Sequence, residues 1–265
     1  YAMNMISRIT AATLVVLGTL TGAEAEIQTR MVGYHDGGTT LQGYLAWDDT
    51  VTGKRPAVMV VHEWWGLNDY VKKRARMLAA LGYAAFAVDM YGDARVTEHG
   101  KEASAWAKQI TENIAGWRRR ALAGLQTLRE QPMVDPQRLA AVGYCFGGAT
   151  VMELAYTGAD LKAVVSFHGS LPIPSEEEAR QIRASVLAAH GAADAFVPQA
   201  RVARFQQALE QAGVDWHMVI YGGARHGFTN PNADSYGIEN IRYNRKADER
   251  SWRHMRQFLE AIFGR

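Results

Sequence analysis

The chain has 265 residues, 48% of them hydrophobic and 21% charged, with a formal net charge of +2. A chain this long can bury a large core without disulfides or a structural metal, and its length suits one α/β domain. The near-balanced charge argues against a nucleic-acid or anionic-membrane surface, and Arg118-Arg119-Arg120 reads as the solvated face of a long helix.

The first segment has the pattern of an export leader. Arg8 supplies a short positive stretch, residues 9–20 are mostly apolar, and Ala23-Glu24-Ala25 has the small-x-small spacing of a signal peptidase site. The apolar stretch is short for a transmembrane helix. With Met5 as its start, residues 1–25 are expected to form a signal peptide, leaving a mature chain that begins near Glu26 in the periplasm or outside the cell. An uncleaved anchor or a disordered tail is the alternative. No stable membrane span is expected after processing, and either a monomer or a small homo-oligomer fits.

Beyond the leader, residues 29–34 and 40–46 predict two strands joined at the turn His35-Asp36-Gly37-Gly38. Residues 56–62 are a continuous apolar run, as in a buried parallel strand. A helix follows over 70–81, stopped by Gly82, and then a buried strand over 83–90. Residues 101–130 carry apolar positions at helical spacing and predict one or two helices; Pro132 and Pro136 punctuate the loop after them. Strand 139–144, helix 147–156, and strands 161–167 and 185–190 come next. A helix opened by Pro198, a strand over 214–221 and a helix over 244–263 close the chain. This alternation predicts an α/β fold: a mostly parallel central sheet with helices on both faces. No repeat or low-complexity linker divides residues 26–265, which read as one domain.

Cys145 is the only cysteine, so no internal disulfide can form, and a free thiol in an oxidising compartment needs a reason. A buried inert thiol is the plain one. The local sequence suggests another. Gly143-Tyr144-Cys145-Phe146-Gly147 is G-x-C-x-G between a predicted strand and a predicted helix, the nucleophile-elbow pattern with Cys for Ser. The turn lifts the sulfur to the C-terminal edge of the sheet and places it near a helix N-terminus, which favours a thiolate. A glycine-rich tight turn is the competing reading of the motif alone.

Two further residues strengthen the first reading. Asp194 lies in the loop after the strand 185–190, and His226 in the loop after the strand 214–221. The order nucleophile, acid, histidine is that of α/β-hydrolases. His226 is expected to take the thiol proton, and Asp194 to orient and charge-stabilise its ring. The Phe146 backbone N–H is the expected oxyanion donor, with a second from the loop at 62–68, where Trp64 stands. Trp64, Trp65, Tyr91 and Phe146 are candidates for an aromatic acyl pocket, with Trp106 and Trp117 as a cap, although aromatic residues are more often simply core.

Five segments together resemble the dienelactone hydrolase family: His-Glu-Trp-Trp-Gly-Leu-Asn at 62–68, Asp-Met-Tyr-Gly at 89–92, Gly-Tyr-Cys-Phe-Gly-Gly at 143–148, His-Gly-Ala-Ala-Asp at 190–194 and His-Gly-Phe at 226–228. The resemblance implies an α/β-hydrolase fold, a Cys-His-Asp triad and cofactor-independent hydrolysis of an ester or lactone. It also implies that Glu63 helps control ionisation of the thiol; a buried structural carboxylate is the alternative. Trp65, Tyr91, Arg95 and Phe228 are the candidate substrate contacts. One departure stands out. Family members that open dienelactone carry a carboxylate-binding arginine shortly after the catalytic histidine, and here that place holds Asn230. An amide cannot form a charged bidentate clamp. A non-catalytic ligand- or partner-binding relative is the second reading of the chain. A metal hydrolase is disfavoured: His62-Glu63 lacks a second histidine at helical spacing, and His168 and His190 have no matching ligand set.

Overall fold

A computed structural model describes residues 26–264. The expected signal peptide, residues 1–25, lies outside the described residues.

The chain opens with β1 (Ile27–Asp36) and β2 (Thr39–Asp48), an antiparallel hairpin paired along its whole length and turned at Gly37-Gly38. Then follow β3 (Arg55–Val61), α1 (Asp69–Ala79), β4 (Ala84–Val88), α2 (Gly100–Thr111) and α3 (Ile114–Arg129). The second half runs β5 (Val134–Tyr144), α4 (Phe146–Tyr156), β6 (Ala163–Phe167), α5 (Glu176–Gln181), β7 (Ser185–Gly191), α6 (Gln199–Gln211), β8 (Trp216–Tyr221) and α7 (Arg245–Phe263).

The eight strands make one sheet in the order β1-β2-β4-β3-β5-β6-β7-β8. β2 joins β4 antiparallel, and every pairing from β4 through β8 is parallel. Because side chains alternate along a strand, each central strand feeds two cores. On β3, Ala57, Met59 and Val61 enter the core beneath α3, α4 and α6, while Val58 and Val60 enter the core beneath α1 and α7. That double burial is why the central strands read as unbroken apolar runs.

Several boundaries differ from the sequence reading. β5 begins at Val134 and carries Pro136 within it; the register with β3 shifts between Arg55 and Ala57, and that irregularity accommodates the proline. The region 101–130 is two helices, separated at Asn113, whose side chain caps α3 by accepting the Gly116 N–H. α5 was not anticipated. It is short, has a single buried residue, and is closed by a capping box between Ser175 and Glu178. Among the described residues no helix is long and apolar enough to cross a membrane.

Candidate active site

The site forms at the C-terminal edge of the parallel strands, where loops from different strands converge. Cys145 sits between β5 and α4 with φ +55°, a backbone conformation that costs a non-glycine residue energy. The turn is possible because the strand and helix almost touch. A Cβ on Gly143 would lie 1.9 Å from the Gly147 carbonyl oxygen, and one on Gly147 would lie 2.2 Å from that of Val61. Phe146 opens α4, so its N–H has no acceptor one turn back within the helix.

Asp194 follows β7 in a tight turn, its N–H bonded to the Gly191 carbonyl. Its Oδ1 accepts the Phe196 N–H at 3.0 Å, which leaves Oδ2 for His226 Nδ1 at 2.8 Å. His226 follows β8; its carbonyl accepts the Arg242 N–H, which ties the loop to the segment before α7. Its Nε2 lies 3.0 Å from Cys145 Sγ. Sulfur, imidazole and carboxylate are therefore joined in one line, with Asp194 and His226 both only 6% exposed. Burial alone would lower the His226 pKa. The electrostatic interaction with Cys145, the hydrogen bonds to Asp194 and Cys145 and the Asp194 charge outweigh it and hold the ring well above its ordinary value.

Glu63 is a further buried carboxyl, close enough to His226 to feel its charge. It is 4% exposed and accepts a hydrogen bond from Asn230 Nδ2 at 2.6 Å. Burial raises its pKa to about 7, and the Asn230 bond and the positive charges of His226 and Arg74 only partly offset that. Asn230, which stands where the family's carboxylate-binding arginine would, is buried at 1% exposure and directed at Glu63.

A cleft of about 230 Å³ opens over the sulfur, lined by Trp64, Ala107, Cys145, Phe146, Ser170, Phe196, His226 and Ile241. Its wall is almost wholly apolar, and among the described residues no arginine or lysine contributes to it.

The sequence profile of the dienelactone hydrolase family matches residues 41–263. The chain belongs to that family. Its fold is the α/β-hydrolase fold, and it is a hydrolase of the dienelactone hydrolase type. A solved "dienelactone hydrolase-like promiscuous phosphotriesterase P91" from metagenomic libraries is 43% identical, with a TM-score of 0.88, over 91% of this chain and all of that one. A second structure, named only m3DLH, is 41% identical with a TM-score of 0.87, over 89% of this chain and 99% of that one. A "putative carboxymethylenebutenolidase" of Synechocystis sp. is 29% identical over 254 residues, 89% of this chain and 97% of that protein.

The four residues picked as substrate contacts are placed elsewhere in this dienelactone hydrolase relative. Trp65 is 1% exposed and stacks on Tyr236 at 3.8 Å between centroids. Phe228 is fully buried between His168 and Tyr221. Tyr91 packs behind Phe146 and donates its hydroxyl to the Trp64 carbonyl. Arg95 lies 4.7 Å from the Trp106 ring centroid, donates to the Tyr91 carbonyl, and lines a neighbouring cleft with Arg119 and Arg120. The expected cap also divides. Trp117 is 6% exposed, stacked on Phe146 and bonded through Nε1 to Thr150, so it supports the wall from behind. Ala107, the neighbour of Trp106, is what reaches the cleft. Phe196, Ser170 and Ile241 were missed. Phe196 stands two residues from Asp194 and could have been found by that proximity; Ser170 and Ile241 carry no sequence signal.

Proposed function

We propose that this protein hydrolyses a carboxylic ester or lactone through a cysteine acyl-enzyme, with Cys145 as nucleophile, His226 as proton carrier and Asp194 as its orienting acid. The observation that carries the reading is the Cys145–His226–Asp194 line, at 3.0 and 2.8 Å, at the floor of an apolar cleft. The raised His226 pKa supports a ring that readily takes and holds a proton beside Cys145. Sγ attacks the substrate carbonyl carbon, and the developing oxyanion turns toward the Phe146 N–H and the loop at Trp64. As the intermediate collapses, the leaving alkoxide takes the proton from His226 Nε2. Water then gives a proton to His226 and attacks the thioester, and the sulfur departs as thiolate with the acid as product. In a lactone the alkoxide stays tethered to the acyl group.

Glu63 fits a controlling role in the same reading. Its carboxyl exchanges its proton near neutral pH and interacts with the His226 charge, so its ionisation tunes the neighbouring ion pair.

The cleft favours a neutral, apolar substrate over a carboxylate-bearing one. Among the described residues no cation lines it, and Asn230 is neutral and occupied by Glu63. A dienelactone carboxylate would therefore be bound without a charged partner. The same neutral wall, together with the likeness to P91, supports a second substrate class, the neutral phosphotriester. The test is single-turnover kinetics with a short-chain p-nitrophenyl ester, beside Cys145→Ala. A burst in the parent and none in the variant is expected; turnover that survives Cys145→Ala overturns the reading. A triester panel on the same two proteins decides the second class.

A further inference from the structure

His168 is a histidine that no expected motif absorbed. It follows β6, is fully buried, and has φ +40°. Its own N–H is bonded to the Ala189 carbonyl at 2.8 Å, which fixes its backbone to β7.

Its side chain meets both reacting residues. The Cys145 N–H is shared between two acceptors, the Phe167 carbonyl at 2.9 Å and His168 Nδ1 at 3.1 Å. The His168 ring also lies edge-on to the His226 ring, 5.4 Å between centroids, and is backed by Phe228 at 5.1 Å. One imidazole thus holds the strained backbone of Cys145 by a hydrogen bond and touches the ring of His226.

The tautomer follows from the bonds. A nitrogen that accepts an N–H carries no proton of its own, so Nδ1 is bare and the proton is on Nε2. Nε2–H then donates to Thr229 Oγ1 at 2.7 Å. Thr229 is itself held, its hydroxyl by Tyr70 at 2.6 Å and its carbonyl by Arg74 at 2.6 Å. Arg74 is paired with Asp248 on α7. This chain of contacts runs from α1 and α7 to the nucleophile without using the cleft. Burial, with the positive charges of His226 and Arg74, holds His168 well below its ordinary pKa, consistent with the neutral form the geometry requires.

We propose that His168 is a positioning residue of the reaction: its bare Nδ1 clamps the backbone of Cys145, and Thr229 locks the tautomer that makes this possible. The proposal rests on the roles given above to Cys145 and His226. Those roles are tested by the Cys145→Ala burst on the parent, so their failure is read separately.

The experiment compares His168→Phe and His168→Asn in the full chain. Phe keeps a ring and removes both nitrogens. Asn keeps an acceptor, Oδ1, at the place of Nδ1 and adopts positive φ readily. A displaced nucleophile loses rate rather than binding, so His168→Phe is expected to lower kcat about 10- to 100-fold with KM within about 3-fold of the parent. His168→Asn is expected to recover kcat to within about 5-fold of the parent. The rate of Cys145 alkylation by iodoacetamide, read on the same folded proteins, should fall with Phe and return with Asn. Parent-like kcat in His168→Phe overturns the proposal. So does an Asn variant that is folded but as slow as Phe. Where His168→Phe does not fold, Thr229→Val and Thr229→Ser make the same comparison on the tautomer lock: Val is expected to lose kcat and Ser to restore it, and an unaffected Val variant overturns the proposal.

Discussion

Asn230 donates a side-chain N–H to Glu63 Oε2 across 2.6 Å, with both residues buried. A neutral amide stabilises a buried carboxylate far less than a guanidinium would, and the Glu63 pKa of about 7 reflects that difference.

The pair makes stability depend on pH in a defined direction. Glu63 ionises near 4.5 in the unfolded chain and near 7 in the folded one, so between those values the folded state keeps a proton that the unfolded state has lost. Stability from this group is full below pH 4.5 and falls as pH rises through 7, by about 3 kcal/mol in total. Glu63→Gln cannot ionise and avoids that loss. Urea denaturation should show the variant more stable than the parent at pH 8 and equal to it at pH 4. An equal gain at both values would mean that the carboxyl is not burdened by ionisation.

Asp194→Asn tests the orientation of His226. With its oxygen kept on the Phe196 N–H, the amide presents its own N–H to Nδ1 and so favours the wrong tautomer. A loss of about 10³- to 10⁴-fold in kcat is expected, with an unchanged far-UV spectrum. A loss under tenfold would point to another acid.

Phe196 is 49% exposed and its ring lies 5.2 Å from that of His226, at the mouth of the cleft. Phe196→Ala should raise KM for aromatic esters more than for acetate esters. Because the ring is half in solvent, the stability change should stay within about 0.5 kcal/mol. A uniform effect across acyl groups would remove Phe196 from the specificity surface.

Arg74 and Asp248 are paired away from the cleft, at side-chain exposures of 6% and 12%. Removing one partner strands the other charge in a poorly solvated place. Arg74→Met should cost about 3 kcal/mol or more, and the double variant with Asp248→Leu should recover part of it. Strict additivity in the double-mutant cycle would show that the two residues do not act as a pair.

What the sequence disclosed follows from where each signal comes from. The strands around Val58 and Val142 were legible because burial on both faces writes a continuous apolar run. Cys145, Asp194 and His226 were legible because each stands in a loop after its own strand, in a fixed order, so topology alone brings them together. The extension of β5 across Pro136 was hidden because a proline usually ends a strand. α5 was hidden because Glu176 to Gln181 has no apolar stripe; only the Ser175–Glu178 box marks it. The cleft wall was the least legible part. Trp64 and Trp65 are adjacent in a loop, where no periodicity says which ring faces the site, and one lines the cleft while the other stacks on Tyr236 in the interior. Arg95 could be placed near the cleft from sequence, but not turned toward Trp106 and the adjoining cleft.

The φ of +55° at Cys145 has a consequence for anyone trying to harden this protein. Glycine adopts that conformation freely, and relief of such strain is worth on the order of 1–3 kcal/mol. Thermal selection blind to turnover would therefore reward replacement of Cys145 itself. A directed-evolution campaign for heat resistance should couple every round to a turnover readout, or it will enrich survivors that have lost this thiol.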